Sequence, residues 1–323
     1  VTSTDASAIL GLNPYKSAFE VWAEKTGRAA PADLSGDEKI EFGIELEPAV
    51  ARIYLRRTKR KPLGANLFEG LPCRTAWLLH PNLDGETERK LFLWHRELDW
   101  LGCSPDLIVA GWTPLPDVLE QRERFGPGIS EIKTTSVFAG KQNYEEDDIG
   151  NFVAPQWVQI QLQHQLLVSG LQWGTVPAAI GGQRLVMADY DVIPELQSMM
   201  LDELGHFLEA HVKKDIPPPV DGSESASRAI AKAFPTGNGK TVELDSSFLE
   251  LDTRRELLKI ERKKLADEYD ALTNRLKVAI GDNEIGALAG RCMFRYGARH
   301  RDAYLVQAAD WRQIDRSKWK DRK

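Results

Sequence analysis

A chain of 323 residues with 42% apolar and 28% charged side chains has the make-up of a globular protein, long enough to bury a sizeable core in one large domain or two smaller ones. No stretch approaches the roughly eighteen apolar residues of a membrane span. The start lacks the basic-then-apolar layout of a signal peptide, which leads us to expect a cytoplasmic protein with no membrane partner. The three cysteines, Cys73, Cys103 and Cys292, are too few and too scattered for a disulfide framework or a metal–thiolate cluster, and the net charge of −6 leaves any phosphate binding to local clusters of cations.

From Ser3 to Thr26 the pattern predicts two short helices split by a turn at Gly11–Pro14, with Asp5 and Ser17 suited to caps. A longer helix is expected over Asp37–Thr58. Ile40, Ile44, Ala51 and Tyr54 form its apolar stripe, and Gly43 and Glu47 lie on a neighbouring line. Its end is basic: six of the ten positions from Arg52 to Lys61 are Lys or Arg and none is acidic, so Arg52, Arg56 and Arg57 are candidate DNA phosphate contacts. Short β-like runs follow at Ala76–Leu79, Leu91–Trp94, Leu107–Ala110 and Ile129–Ile132, which suggests a mainly antiparallel sheet. Helical spacing returns over Trp157–Ser169 and stops at Gly170; a strand at Arg184–Val192 and a helix over about Pro194–Lys214 complete this part. The run Pro217–Pro219 and the small polar residues after it mark a boundary between domains 1–220 and 221–323. Beyond it Leu251, Leu258, Leu265 and Leu272 recur every seven residues, the mark of a long amphipathic helix or hairpin that must pack against something, and from Arg291 to Lys323 ten basic residues face four acids.

Chemistry concentrates in Ser104-Pro105-Asp106-Leu107 and, after a loop, Ser130-Glu131-Ile132-Lys133. Strand alternation puts Glu131 and Lys133 on one face, and an Asp at the start of a nearby strand can converge on them. Two carboxylates and the Ile132 backbone carbonyl would form the hard-oxygen site that Mg²⁺ prefers, with Mn²⁺ able to substitute, and Lys133 would orient or deprotonate an attacking water. An exposed Glu-x-Lys is also an ordinary ion pair on a strand, so the spacing alone is weak.

The order Phe42-Gly43-Ile44-Glu45-Leu46-Glu47-Pro48, Ser104-Pro105-Asp106, Glu131-Ile132-Lys133 and Gln161-Leu162-Gln163-His164, preceded by Thr2-Ser3-Thr4-Asp5-Ala6-Ser7-Ala8-Ile9-Leu10-Gly11 and by Asn13 to Ser17, resembles the YqaJ-type viral recombinases, a phage lambda exonuclease-like family of the PD-(D/E)XK nucleases. The resemblance covers about residues 1–220. It implies an α/β (α+β) restriction-endonuclease-like core, a central mixed sheet flanked by helices, with a C-terminal helical extension. It further implies that Asp106 and Glu131 bind metal directly, that Glu47 assists them, that Lys133 orients water and that Gln161 closes the catalytic site. Thr4 stands where the family often has a serine on the terminal phosphate, and Gln163 is a weaker DNA-contact candidate. The implied activity is 5′-to-3′ degradation of linear double-stranded DNA in phage-type recombination by a bacterial or phage-encoded protein, with a single-strand annealing protein as partner; the C-terminal helix would serve homo-oligomerisation, DNA grip or contact with a partner. A structure-specific or nicking endonuclease and a non-catalytic DNA-binding or assembly module are the alternatives the residues leave open.

Overall fold

A computed structural model describes residues 1–31, 36–64, 68, 70–81, 87–111, 126–146, 152–237, 239–289 and 291–300. The N-terminal part is helical: α1 (Ser3–Ile9), α2 (Ala18–Lys25) and α3 (Glu38–Thr58), whose first turns are capped by Thr2, Ser17 and Asp37. The buried line of α3 runs through Val50, Tyr54 and Thr58 and continues back through the half-buried Glu47 to Gly43, where a Cβ would stand 3.4 Å from Thr134 Oγ1. The stripe expected from Ile40 and Ile44 is therefore rotated, and Phe42, Ile44 and Leu46 are exposed. Packing against the sheet selected the line with the glycine, because only that line lets the helix approach closely.

Strands β1 (Arg74–Pro81), β2 (Thr87–Trp94) and β3 (Gly102–Cys103) form a separate antiparallel sheet in that order. Next come β4 (Leu107–Val109), β5 (Gly128–Ser130), β6 (Lys133–Thr135) and α4 (Val137–Asn143). After the short pair β7 (Glu145–Glu146) and β8 (Phe152–Val153), α5 (Gln156–Ser169) ends at Gly170, whose φ of 70° is the left-handed cap a glycine supplies without strain. Strands β9 (Trp173–Ile180) and β10 (Arg184–Asp191) precede α6 (Pro194–Phe207), which runs into a π-helical segment, Leu208–Val212.

The central sheet is mixed, in the order β10–β9–β5–β4, with β6 also on β9: β9 is antiparallel to β10 but parallel to β5 and β6, and β4 is antiparallel to β5. Helix α5 covers one face, where Leu162 and Leu166 pack with Ile108, Ile129 and Val176; α3 covers the other, where Tyr54 meets Val109 and Trp173. Strand β9 has no forerunner in the sequence pattern. It is buried from Trp173 to Ala178, so it shows no alternation, and it contains Pro177, a residue that argues against a central strand.

The chain divides after Pro235, into units Val1–Pro235 and Thr236–Lys323. Helix α7 (Glu224–Ala233) belongs to the first unit, because Ser225 Oγ accepts from Ser17 N–H at 2.9 Å and donates to Glu20, while Ala229 joins the cluster of Phe19, Trp22 and Phe207. The second unit has α8 (Ser247–Ile280) and the hairpin β11 (Ile285–Leu288) with β12 (Arg291–Arg295). Among its described residues Ile280 alone of α8 is buried, and Leu251, Leu258, Leu265 and Leu272 are exposed. Of the basic C-terminal stretch, residues 301–323 lie outside the described residues.

Candidate active site

A break in one strand creates the site. Ile129 pairs with Gly174 and Ser130 with Thr175, and the same register resumes with Lys133 on Ala178, so Glu131 and Ile132 lie opposite Val176 and Pro177. Glu131 N–H still donates to Thr175 O at 3.0 Å, but the next ladder bond would have to come from Pro177, which has no N–H. The following N–H, that of Ile132, points to the other side of the strand and donates to Asp106 Oδ2 at 2.7 Å. Asp106 stands one residue before the β4–β5 pairing of Leu107 with Ser130, so extension of that register sets it opposite Glu131, with Cβ atoms roughly 4.5–5.5 Å apart.

Two carboxylates thus face each other across adjacent strands at the edge where the ladder fails. Burial raises the Asp106 carboxyl well above its usual range, and the Glu131 and Glu47 carboxylates push it further in the same direction; Lys133 and the Ile132 N–H oppose them. Glu47 contributes from α3, on the inward line described above. Lys133 Nζ donates to Glu131 Oε1 at 2.5 Å. Burial alone would lower its pKa, but Glu131 and Asp106 more than reverse this, and the net shift is upward. The two carboxylates thus favour the ammonium form of Lys133.

The other Glu131 oxygen, Oε2, accepts from Gln165 Nε2 at 2.6 Å, within the buried core. Gln165 was not anticipated. Trp157, Gln161 and Gln165 recur every four residues and so share one face of α5. At one end of that line the Trp157 ring centroid lies 5.9 Å from Lys133 Nζ; at the other Gln165 reaches Glu131. Gln161, half-buried, lies between them on the same line, but the contact with the carboxylate belongs to Gln165. The four-residue spacing from the tryptophan was the available signal.

Gln163 is a correction. It is 2% exposed, and its amide is spent on backbone, donating to Asp191 O at 2.8 Å and accepting from Ile193 N–H at 3.1 Å, which ties α5 to the turn before α6 and removes it from any DNA surface. Thr4 is exposed in the first turn of α1. Arg52, Arg56 and Arg57 are exposed at the end of α3 and form no ion pair among the described residues. Arg60, in the same basic run, is instead a buried anchor: it bonds Tyr54 Oη at 2.7 Å and Asp189 Oδ1 at 3.0 Å, and it lies 4.9 Å from the Trp173 ring centroid. That anchor fixes the helix that carries Glu47 to β9 and β10.

Among the described residues no group of three or more His, Cys, Asp and Glu side chains is gathered closely enough to hold a metal ion. The arrangement instead offers two opposed carboxylates, a third acidic group felt through space, and a lysine ammonium on one carboxylate. Such a set fits a hard cation that takes one or two carboxylates and keeps water or phosphate in its remaining positions.

The uncharacterized protein YqaJ of Bacillus subtilis (strain 168) is 27% identical over 289 residues, covering 88% of this chain and 76% of that protein. Among solved structures, LHK-Exo in complex with dAMP aligns over 67% of this chain and 89% of its own at 17% identity with a TM-score of 0.43, and the alkaline exonuclease LHK-Exo from Laribacter hongkongensis over 72% and 93% at 16% identity with a TM-score of 0.36. The YqaJ-like viral recombinase domain matches residues 1–172, which is more than half of the sequence and includes Glu47, Asp106, Glu131, Lys133 and Gln165; the chain belongs to that family.

Proposed function

We propose that this protein is a Mg²⁺-dependent DNA nuclease, a 5′-to-3′ exonuclease acting on linear double-stranded DNA in phage-type recombination. The observation that carries the reading is the broken strand, which leaves Asp106 opposite Glu131 with Lys133 on the same face as Glu131. In extended chain the N–H and C=O of one residue point to the same side, so the Ile132 carbonyl is directed with its N–H toward Asp106. Asp106, Glu131 and that carbonyl would hold the cation, with Glu47 assisting, and Mn²⁺ would substitute for Mg²⁺. A cation bound there supplies charge neutralisation for the phosphoryl group in the transition state and acidifies a water.

Every other role falls to the chain. Lys133, a compact ammonium, orients the attacking water. Gln165 fixes the rotamer of Glu131, with Gln161 on the same helical line toward the substrate. The exposed Arg52, Arg56 and Arg57 offer phosphate contacts, and Thr4 is placed in an exposed first turn for the strand end. The recombination role rests on the family, and the same reading makes a single-strand annealing protein the natural partner. The test is incubation with 5′-labelled linear duplex and with covalently closed circles, with and without Mg²⁺. Metal-dependent loss of label from linear DNA with circles left intact is expected. Nicked circles would establish an endonuclease, and no cleavage of either substrate would leave a DNA-binding module.

A further inference from the structure

A lysine that orients a water must hold its ammonium in one place, yet that group sits at the end of a flexible four-carbon stem. Two contacts restrain Lys133 Nζ. One is the hydrogen bond to Glu131 Oε1 at 2.5 Å; the other is the indole of Trp157, over whose ring the ammonium lies 5.9 Å from the centroid. That separation is within the roughly 6 Å at which a ring face attracts a cation. The Lys133 side chain is only 20% exposed, so water and salt screen the attraction little. An ammonium has three N–H donors: the carboxylate takes one and the ring face a second, which leaves one for a water.

The indole is itself fixed. Trp157 stands in the first turn of α5, half-buried and packed on the main core. The ring of Tyr15 meets it edge-on, with centroids 5.7 Å apart and planes at 90°. Tyr15 is held in turn by Asn13, whose Oδ1 accepts from Tyr15 N–H at 2.8 Å and whose amide donates to Ser7 Oγ of α1 at 3.0 Å. The two restraints on Lys133 differ in kind. In the nuclease reading Glu131 also serves as a cation ligand, so its oxygens are shared between two positive charges. A ring face attracts an ammonium but offers no hard oxygen to a divalent cation, so the contact with Trp157 is not shared. We propose that Trp157, braced by Tyr15, is a positioning residue that keeps the Lys133 ammonium turned toward the attacking water. The inference rests on the nuclease reading above and adds to it a residue that acts through the lysine and not on the DNA.

Two readouts on the whole chain test this, and the first needs no cleavage. In NMR spectra of the lysine-labelled protein in EDTA, the Lys133 Hε resonance, identified by its absence from Lys133→Arg, should lie upfield of its position in Trp157→Leu, because an aromatic ring shields protons above its face. Trp157→Phe should keep part of that displacement. The second readout is digestion of linear duplex with Mg²⁺. Trp157→Leu should lower kcat by roughly 5- to 30-fold, the worth of one largely desolvated cation–π contact, and leave KM within twofold. Trp157→Phe should recover most of the rate. In a Lys133→Ala background the leucine substitution should change kcat by less than twofold, since the group it positions is gone. A raised KM with kcat unchanged would make Trp157 a DNA contact and overturn the proposal, as would equal losses of kcat in the parent and Lys133→Ala backgrounds by proteins of native circular dichroism. A Lys133 resonance that does not move in Trp157→Leu would overturn it whether or not DNA is cut. Cleavage by the parent alongside any of these results spares the nuclease; a parent that shows the displaced resonance but cuts no DNA would retire the nuclease reading and, with it, the role in orienting water.

Discussion

Replacing Gln165 with Leu isolates one hydrogen bond at the centre of the site. Gln165 Nε2 donates to Glu131 Oε2 at 2.6 Å, both groups are buried, and the amide Oε1 has no partner among the described residues. Leucine is close in size and removes the donor together with the unpaired oxygen; the buried carboxylate, however, is left without a bond of the charged class, worth roughly 1.5–3 kcal/mol, a loss that lowers folding stability and frees Glu131 from its fixed position. Converted at 1.4 kcal/mol per tenfold, that is about 10- to 150-fold, in line with the ~10–100-fold commonly lost when the partner of a metal-binding carboxylate is removed. Two measurements check it: the Mn²⁺ concentration that half-saturates binding, followed by calorimetry, and the rate of digestion of linear duplex at saturating metal. The expected result is a weakened metal response, with circular dichroism unchanged. Gln165→Glu should be worse, since it sets a third carboxylate against Glu131 in a buried place. If Gln165→Leu retains metal affinity and rate within twofold while Gln161→Leu loses both, Gln161 is the glutamine of the site and the reasoning from the buried contact is wrong.

Lys133→Ala should lower kcat by roughly 10²- to 10⁴-fold with Mn²⁺ binding intact, and Lys133→Arg should restore little because a planar guanidinium cannot take the place of a compact ammonium; parental turnover at saturating substrate would reduce Lys133 to an ion-pair partner. Arg60→Met should leave Asp189 partly buried without its cation and cost about 3–5 kcal/mol in chemical denaturation, the usual range for breaking a buried pair; a change below about 1 kcal/mol would show that α3 is not held by this anchor. His164 is wholly buried, and burial lowers its pKa from 6.5 to about 3, with Asp5 opposing. Between those values the unfolded chain binds the extra proton, so this residue removes stability as pH falls below 6.5, by at most about 1.4 kcal/mol per pH unit; His164→Leu should flatten the slope of unfolding free energy between pH 6.5 and 4 relative to the parent, and identical slopes would refute it. Truncation after Pro235 should leave the melting temperature of the first unit near that of the whole chain, whereas truncation after Pro219 should lower it by several degrees through loss of α7 and its bonds to Ser17 and Glu20; indistinguishable melting curves would place the boundary at the proline run after all.

The sequence alone was sufficient wherever the determining physics is local. The cap at Ser17, the stop at Gly170 and the helical spacing of α5 and α6 are short-range matters of hydrogen bonding and backbone freedom, and these elements lie where the pattern sets them, whereas the cap of α1 is Thr2, with Asp5 as its capping-box partner. Alternation likewise put Glu131 and Lys133 on one face, and a motif order spread over the first 172 residues identified the family. Three features required the tertiary structure. Strand β9 was invisible because a strand buried on both faces has no period, and its Pro177 reads locally as a breaker; only in the sheet does that missing N–H interrupt the ladder beside Glu131 and Ile132. The inward line of α3 departs from the expected apolar stripe because close approach to Thr134 favours Gly43 and carries Glu47 in with it, while Phe42, Ile44 and Leu46 stay exposed. Among the glutamines of α5 the sequence could not choose, since all have the same chemistry; Gln165 reaches Glu131 and Gln163 is consumed by backbone, because the helix is rotated by its packing on Ile129 and Val176, residues remote from it in the chain.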